Sequence, residues 1–596
     1  MSEPLDPFAH LHDESYADAY ETPRADHRGL IAMGGRSRIS LNGAWHFTRD
    51  LFDEGLRQKL FADPPTPPAD WRKPRDFDEW AAEEIAVPGC WNLARPEWLM
   101  FEGAGWYARR FDWQGEAPRL FLRVGAANYA ARVFLNGRFL TLHLGGSTPF
   151  FVELTTRLRL GENHLLIQVE NRRRADRVPM HHFDWFNYGG LYREVDLVAL
   201  PSVFLRDLHI AWRGGAIAVE ITLSDPVAAT ARVTIAELGI SQDIAVVNGS
   251  GRATIAGHVE LWSPASPRLY DVVVECCEDR VTERIGFREI AVDGEQILLN
   301  GQSIYLRGVC VHEDDVELGK ATSDADMRRR VAHAKELGCN LLRLAHYPHH
   351  ERMAEIADEV GLLLWEEIPV YWAIDFTNPA TYADAENQLF ELIARDRNRA
   401  SVIIWGVGNE NADTNARFFF MSRLAEAARR ADSTRLISAA CLINRQTFKI
   451  EDRLADCLDI VGLNEYFGWY EPDMSLFERL LANSRPGKPV VISETGGDAL
   501  AGHHGPATEL FTEEKQADIH RQQLAILDRV PYVRGYIPWL LYDFRTERRQ
   551  TRFQRGYSRK GVIAEDKATR KMAFHVIAEH YARMIDSGAD PAEDPR

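Results

Sequence analysis

Up to about residue 290 the apolar positions fall into short runs of strand length, rich in Val, Ile, Phe, Leu and Thr, with few helical stretches between them. Ala131–Leu135, His164–Val169 and Ala216–Leu223 are examples. Turn pairs punctuate these runs at Asn42-Gly43, Asn136-Gly137, Gly214-Gly215 and Asn248-Gly249, and such dipeptides supply the positive φ angles of tight hairpins. The pattern predicts all-β sandwich material. It restarts near Leu200-Pro201-Ser202, which marks off a second sandwich of about 90 residues, a size that suits an immunoglobulin-like domain. Pro64-Pro65-Thr66-Pro67-Pro68 reads as a loop, not a domain linker.

From about residue 300 strand-like runs alternate with helical segments. Eight runs stand out: Ser303–Val311, Cys339–Ala345, Gly361–Trp365, Ser401–Val407, Arg435–Ala440, Asp459–Leu463, Pro489–Ser493 and Val533–Leu541. Helix-start signals lie between them, such as Ser323 three residues before Asp326 and ahead of Met327–Leu337. Eight such alternations over about 280 residues predict a (β/α)8 barrel. No Gly-x-Gly-x-x-Gly follows an early strand, which weighs against a dinucleotide fold.

Composition narrows the function classes. The 596 residues are 45% apolar, enough to bury large cores, and 70 Lys and Arg against 88 Asp and Glu leave a net charge of −18. That sign argues against a general nucleic-acid binder or a protein held on anionic lipid. The acidic start, MSEPLDPFAHLHDESY, does not read as a secretory signal, and no apolar run reaches the ~20 residues of a membrane-spanning helix. Seven scattered cysteines, with no Cys-x-x-Cys and no His-Glu-x-x-His, are expected to be buried thiols of a cytoplasmic protein, with no metal and no cofactor.

In a barrel of this kind the active site lies at the C-terminal strand ends. Those ends read His312-Glu313-Asp314, His346-Tyr347, Glu366-Glu367, Asn409-Glu410, Asn464-Glu465-Tyr466, Glu494-Thr495 and, at the eighth, Trp539 through Tyr542-Asp543. Carboxylates, imidazoles, an amide and aromatic rings converge on one rim. Two carboxylates across a barrel mouth suit glycoside hydrolysis: one protonates the leaving oxygen and the other meets positive charge at the anomeric carbon. Spacing alone does not choose the pair, since at least six carboxylates are available, and Glu366 and Glu367 stay unassigned. The pairs His181-His182, His349-His350 and His503-His504 are expected to face solvent.

The stretch Asp396-Arg397-Asn398-Arg399-Ala400-Ser401-Val402-Ile403-Ile404-Trp405-Gly406-Val407-Gly408-Asn409-Glu410 resembles the acid/base signature of glycoside hydrolase family 2. Pro489-Val490-Val491-Ile492-Ser493-Glu494-Thr495-Gly496 resembles its nucleophile strand. The layout is most similar to the three-domain β-glucuronidases of that family. The resemblance implies a jelly-roll-like sugar-binding sandwich over 1–200, an immunoglobulin-like sandwich over 201–292 and a TIM barrel over 293–596. It implies Glu410 as acid/base, Glu494 as nucleophile, Asn409 on the sugar 2-hydroxyl and Tyr466 on the nucleophile carboxylate. His312 and His346 would line the sugar subsite, Trp539 would form its floor, and Asp184 would reach the pocket on a loop. The two carboxyls are then expected ~5–5.5 Å apart, the retaining geometry.

Sugar identity is less well marked. In β-glucuronidases an Asn-x-Lys motif binds the uronate; here Lys560 is retained but Ser558 stands in the Asn position, and a hydroxyl has fewer donors than a carboxamide. The adjoining segment Arg545–Lys560 carries seven cations in 16 residues. They would favour an anionic sugar if they face the pocket, or form a solvated loop or subunit contact if they do not. The reading is a β-uronide-cleaving glycosidase, with a neutral β-galactoside hydrolase as alternative and a non-catalytic carbohydrate-binding protein as a remote one. The expected partner is a carbohydrate, not nucleic acid or a membrane, and the expected assembly is a homo-oligomer.

Overall fold

The computed structural model describes residues 19–62, 82–115 and 117–586. The acidic start and the Pro64–Pro68 loop lie outside the described residues. The chain forms two compact units, one of residues 1–31, 37–172 and 187–202, the other of residues 32–36, 173–186 and 203–596.

The first unit is a sandwich of a six-stranded and a four-stranded antiparallel sheet. Trp45, Phe47, Tyr107, Leu122, Val133 and Ile167 belong to one core contributed by both. Asn136 and Gly137, with φ 50° and 76°, close the hairpin between Ala130–Leu135 and Arg138–Leu144, two positive angles that match the twist of the flanking strands. The pairs at Gly214 and Asn248 also turn hairpins. Asn42-Gly43 does not: Ile39–Ser40 belongs to the four-stranded sheet and Gly43–Asp50 to the six-stranded one, so this turn carries the chain across the sandwich.

In the second unit seven strands between Leu205 and Ile285 run antiparallel around a core that includes Ile210, Val219, Val233, Val272 and Phe287. A closed barrel of eight parallel strands follows: β1 Leu306–Val311, β2 Leu341–Leu344, β3 Leu363–Glu367, β4 Val402–Asn409, β5 Leu436–Cys441, β6 Ile460–Asn464, β7 Val490–Glu494 and β8 Val533–Tyr536. Alternation sorts the side chains. Leu341, Leu363, Trp365 and Val491 fill the barrel interior with Ile297, Leu299 and Ile304. Leu342, Leu364, Val461 and Ile492 pack outward in the core that includes the helices.

All eight predicted runs shift at their ends, the first, fourth and eighth as follows. Gln302–Ile304 belongs to a separate three-stranded antiparallel sheet, so β1 begins at Leu306. The fourth run continues past Val407 to Asn409. The eighth stops at Tyr536, because Pro538 has no N–H to donate to a ladder.

Register shifts interrupt β4 between Gly406 and Asn409 and the β6–β7 pairing between Leu463 and Asn464, where Ser493 is the extra residue before Glu494. Such irregularities re-aim a side chain at a strand end, and both lie just before the conspicuous carboxylates.

The helix predicted after β1 spans Asp324–Glu336, and Ser323 and Asp326 form a reciprocal capping box. Ser323→Ala should destabilise the first turn by about 1 kcal/mol. Hydrogen exchange should read this as faster exchange of the Asp326 and Met327 amides, with the barrel strands unchanged.

Candidate active site

A pocket of about 610 Å³ opens at the C-terminal strand ends, with Glu410, Glu494, Tyr466 and Trp539 in its wall. Behind it lies Arg343, wholly buried in β2. Its guanidinium donates to Glu494 Oε1 at 2.8 Å and to Asn409 Oδ1 at 2.7 Å. It also grips Glu367 through two bonds of 3.0 Å. Burial alone would push the Glu367 pKa up, but Arg343 and His346 reverse the sign and hold it below its ordinary value.

Glu494 has a second donor, the Tyr466 hydroxyl, at 2.9 Å from Oε2. Glu410 follows β4 with φ 53°, a left-handed conformation that few non-glycine residues adopt. Its N–H donates to the Ala440 carbonyl at 2.9 Å. Its carboxylate accepts from Trp372 Nε1 at 2.7 Å and Asn464 Nδ2 at 3.1 Å. Enclosure in the pocket, then the Glu494 charge, raise the Glu410 pKa from its ordinary value, and the Trp372 and Asn464 bonds offset only part of that rise. Two carboxyls in one pocket thus have different surroundings: Glu494 faces a guanidinium, whereas Glu410 has only neutral donors.

The other sequence-predicted residues separate into pocket wall and support. Asp184 and Lys560 line the pocket with Trp539 and Tyr466. Asn409 is buried behind the wall. Its Oδ1 accepts from Arg343 and Asn464, while its Nδ2 has no protein partner among the described residues. His346 stacks on Trp539 at 4.9 Å and its Nδ1 meets Glu367 at 2.6 Å. His312 packs edge-on against Trp539 at 5.1 Å and bonds the Tyr347 hydroxyl at 3.1 Å. Burial holds its pKa well below the usual imidazole value. Both histidines brace the Trp539 side of the pocket from behind. Ser558 is buried and pairs with Phe544 in a two-residue ladder, and it is not part of the wall.

The cations of the Arg545–Lys560 segment divide in the same way. Arg549 and Lys560 line the pocket. Arg545 donates to the Val316 carbonyl, Arg559 pairs with Asp543 and Glu565, Arg552 lies over Phe553, and Arg555 donates to the Arg552 carbonyl. Lys560 Nζ lies 2.9 Å from Asp498 and 3.0 Å from the Tyr470 hydroxyl. Arg549 pairs with Asp184 and reaches the same hydroxyl at 3.5 Å. Burial would lower the Lys560 pKa, but Asp498 and Tyr470 outweigh it and leave it raised.

The pattern passed over Arg343 and Trp372, and placed Asn464 at a strand end without a role. Arg343 had a signal, being a lone charge at an inward position of an otherwise apolar strand, Leu341-Leu342-Arg343-Leu344. Alternation also separates the unassigned pair: Glu367 points to Arg343, while Glu366 faces Asp396 and Arg395 on the helix side. His349 is buried and bonds the Ala345 carbonyl at 3.0 Å, not solvent-facing as expected. Among the described residues no group of three or more His, Cys, Asp or Glu is placed to hold a metal ion.

Residues 290–585 match the model of the glycosyl hydrolases family 2 TIM barrel domain, 39–201 that of the family's sugar binding domain, and 203–288 the glycosyl hydrolases family 2 model. The chain belongs to glycoside hydrolase family 2 and is a glycosidase acting on carbohydrate. A β-glucuronidase of Paenibacillus borealis is 28% identical over 91% of this chain and 96% of its own. A solved β-glucuronidase of an uncultured Clostridium sp. superposes with a TM-score of 0.81 at 27% identity, covering 92% of this chain and 98% of that one. A solved β-galacturonidase of Eisenbergiella tayi does so with a TM-score of 0.80 at 26% identity, covering 94% and 98%.

Removing Arg343 strips a cation from two buried carboxylates at once. Arg343→Met should cost about 3–5 kcal/mol of barrel stability, seen as a lowered thermal unfolding midpoint, together with loss of turnover.

Proposed function

We propose that the chain is a retaining exo-β-glycosidase of β-uronides, β-glucuronide first among them. The observation that carries this reading is the pair of cations, Lys560 and Arg549, flanking the Tyr470 hydroxyl in the same pocket as Glu410 and Glu494. A sugar carboxylate placed there would accept charge-assisted hydrogen bonds, bidentate where Arg549 presents its fork. Relatives named for two different uronides, glucuronide and galacturonide, support the same class.

Glu494 attacks the anomeric carbon while Glu410 protonates the glycosidic oxygen. Glu410, now ionised, then draws a proton from water that releases the glycosyl-enzyme. The surroundings fit this division. Arg343 and Tyr466 both donate to the Glu494 carboxylate, and the raised pKa of Glu410 favours its protonated form. Asn409 Nδ2, which has no protein partner among the described residues, is the donor assigned here to the sugar 2-hydroxyl. Trp539 forms the floor, backed by His346 and His312. Asp184, tied to Arg549 and Thr546, borders the sugar site.

One observation favours the second reading, a neutral β-galactoside-like substrate: each pocket cation already has its own carboxylate, Asp498 for Lys560 and Asp184 for Arg549. The two readings part on a panel of aryl β-glucuronide, galacturonide, galactoside, glucoside and mannoside. The uronides should dominate. Lys560→Met should lower kcat/KM on them by about 10- to 100-fold while leaving neutral glycosides little changed. Preference for the galactoside in the unaltered enzyme would overturn the uronide reading. Proton NMR of the first-formed sugar should show the β anomer.

Glu494→Ala should abolish turnover. Glu410→Ala should slow substrates with poor leaving groups by about 10²–10⁴-fold and activated aryl glycosides far less. Trp372→Phe removes a donor that favours ionised Glu410. The Glu410 pKa should therefore rise, and the alkaline limb of kcat/KM should move to higher pH. A limb moved to lower pH would contradict the sign.

The proposal extends to a cytoplasmic homo-oligomer. All seven cysteines are free thiols, five of them buried, which suits a reducing compartment. Among the described residues no helix is long and apolar enough to cross a membrane. Light scattering measures the assembly.

A further inference from the structure

One buried carboxyl of the site has no part in the chemistry above. By alternation along β6, Ile460 faces the barrel interior and Val461 and Leu463 the outer core. Glu465, the next residue in the outward series, lies under the helix Glu513–Leu527, 4% exposed. Its Oε2 accepts from the Phe467 N–H at 2.9 Å and from Gln523 Nε2 at 3.4 Å. Its Oε1 is buried and has no partner among the described residues.

The groups packed around it are neutral. From the end of β7 and the residue after it come the Thr495 hydroxyl and the Glu494 carbonyl, which accepts the Glu465 N–H at 3.0 Å. From the helix come Gln523 and His520; burial lowers the pKa of His520 to about 3, so it is uncharged. From β8 comes Tyr536, whose hydroxyl meets His520 Nδ1 at 2.7 Å and Gln523 Oε1 at 3.2 Å. Tyr466, the next residue on its own segment, turns its hydroxyl to Glu494. An ionised Glu465 would therefore be a buried charge without a cation.

A proton on Oε1 resolves the mismatch. Thr495 gives its own hydroxyl proton to Gln523 Oε1 at 2.6 Å, which leaves lone pairs on Thr495 Oγ1 to accept. Gln523 in turn donates to the Phe467 carbonyl at 2.8 Å, so a protonated Glu465 links the segments after β6 and β7.

We propose that Glu465 acts as a neutral carboxylic acid, a positioning residue whose hydroxyl closes a hydrogen-bonded chain through Thr495 and Gln523 and thereby holds the Glu494–Thr495 segment in place. Burial raises its pKa to about 8. Above that value it ionises, the chain opens at Oε1, and the nucleophile loses its backing. Glu465 thus adds an alkaline loss of activity separate from the titration of Glu410.

The inference rests on Glu494 as nucleophile, and the two fail separately. Turnover retained by Glu494→Ala removes that assignment, whereas the Glu465 role is decided by pH profiles of kcat/KM. These are measured on an activated aryl glycoside in a Glu410→Gln background, where no proton from residue 410 titrates. Glu410→Gln alone should still lose activity around pH 8. Adding Glu465→Gln, which reproduces the neutral form, should carry activity at least about one pH unit further. At pH 6, Glu465→Ala should lower kcat/KM by about tenfold or more, and Glu465→Gln should restore most of it. Coincident alkaline limbs in the single and double variants, or a Glu465→Gln enzyme as impaired at pH 6 as Glu465→Ala, would overturn the proposal.

Discussion

The active-site end of the barrel is organised around one buried cation. Arg343 has no access to solvent, and a guanidinium in that position is tolerable only with carboxylates against it. Glu367 and Glu494 supply them, and Asn409 takes a further N–H. Strands β2, β3, β4 and β7 are thereby tied together at their C-terminal ends by one planar group. Its fork geometry fixes directions as well as distances. Glu494 is oriented by the same contact that satisfies the arginine.

Local backbone irregularity does the rest of the aiming. In a regular strand, neighbours alternate between interior and exterior, and Ser493 and Glu494 could not both serve the interior. The extra residue in the β6–β7 pairing lets Ser493 bond Asn464 at 2.8 Å while Glu494 enters the pocket. The shift in β4, followed by the left-handed Glu410, brings the second carboxylate into the same pocket. Asn464, bonded to both Asn409 and Glu410, keeps the two halves in register.

Outside this centre, the pocket pairs its charges. Lys560 with Asp498 and Arg549 with Asp184 form ion pairs that converge on the Tyr470 hydroxyl. Such pairing offsets the cost of burying Lys560 and sets how strongly an arriving anion must compete. A net charge of −18 for the chain says nothing about this, because selectivity depends on the few charges whose solvation the pocket removes.

The eight β-α alternations, the all-β texture before residue 290, three of the four tight turn pairs and the capping box at Ser323 were all legible along the chain, because period, turn chemistry and caps are local properties. So were the two motif carboxylates, Glu410 and Glu494, as residues at strand ends. What the chain alone left open was every question of direction. Glu366 and Glu367 are neighbours with opposite fates, decided by which face of β3 meets the barrel interior. Seven cations in one segment divide into two in the pocket wall and others spent on carbonyls, rings and nearby acids, and His349 is buried where exposure was expected. Arg343 and Trp372 lie far from the carboxylates in sequence and reach them only once the barrel closes. These outcomes depend on burial and on partners brought together from distant segments, so only the closed tertiary structure could decide them.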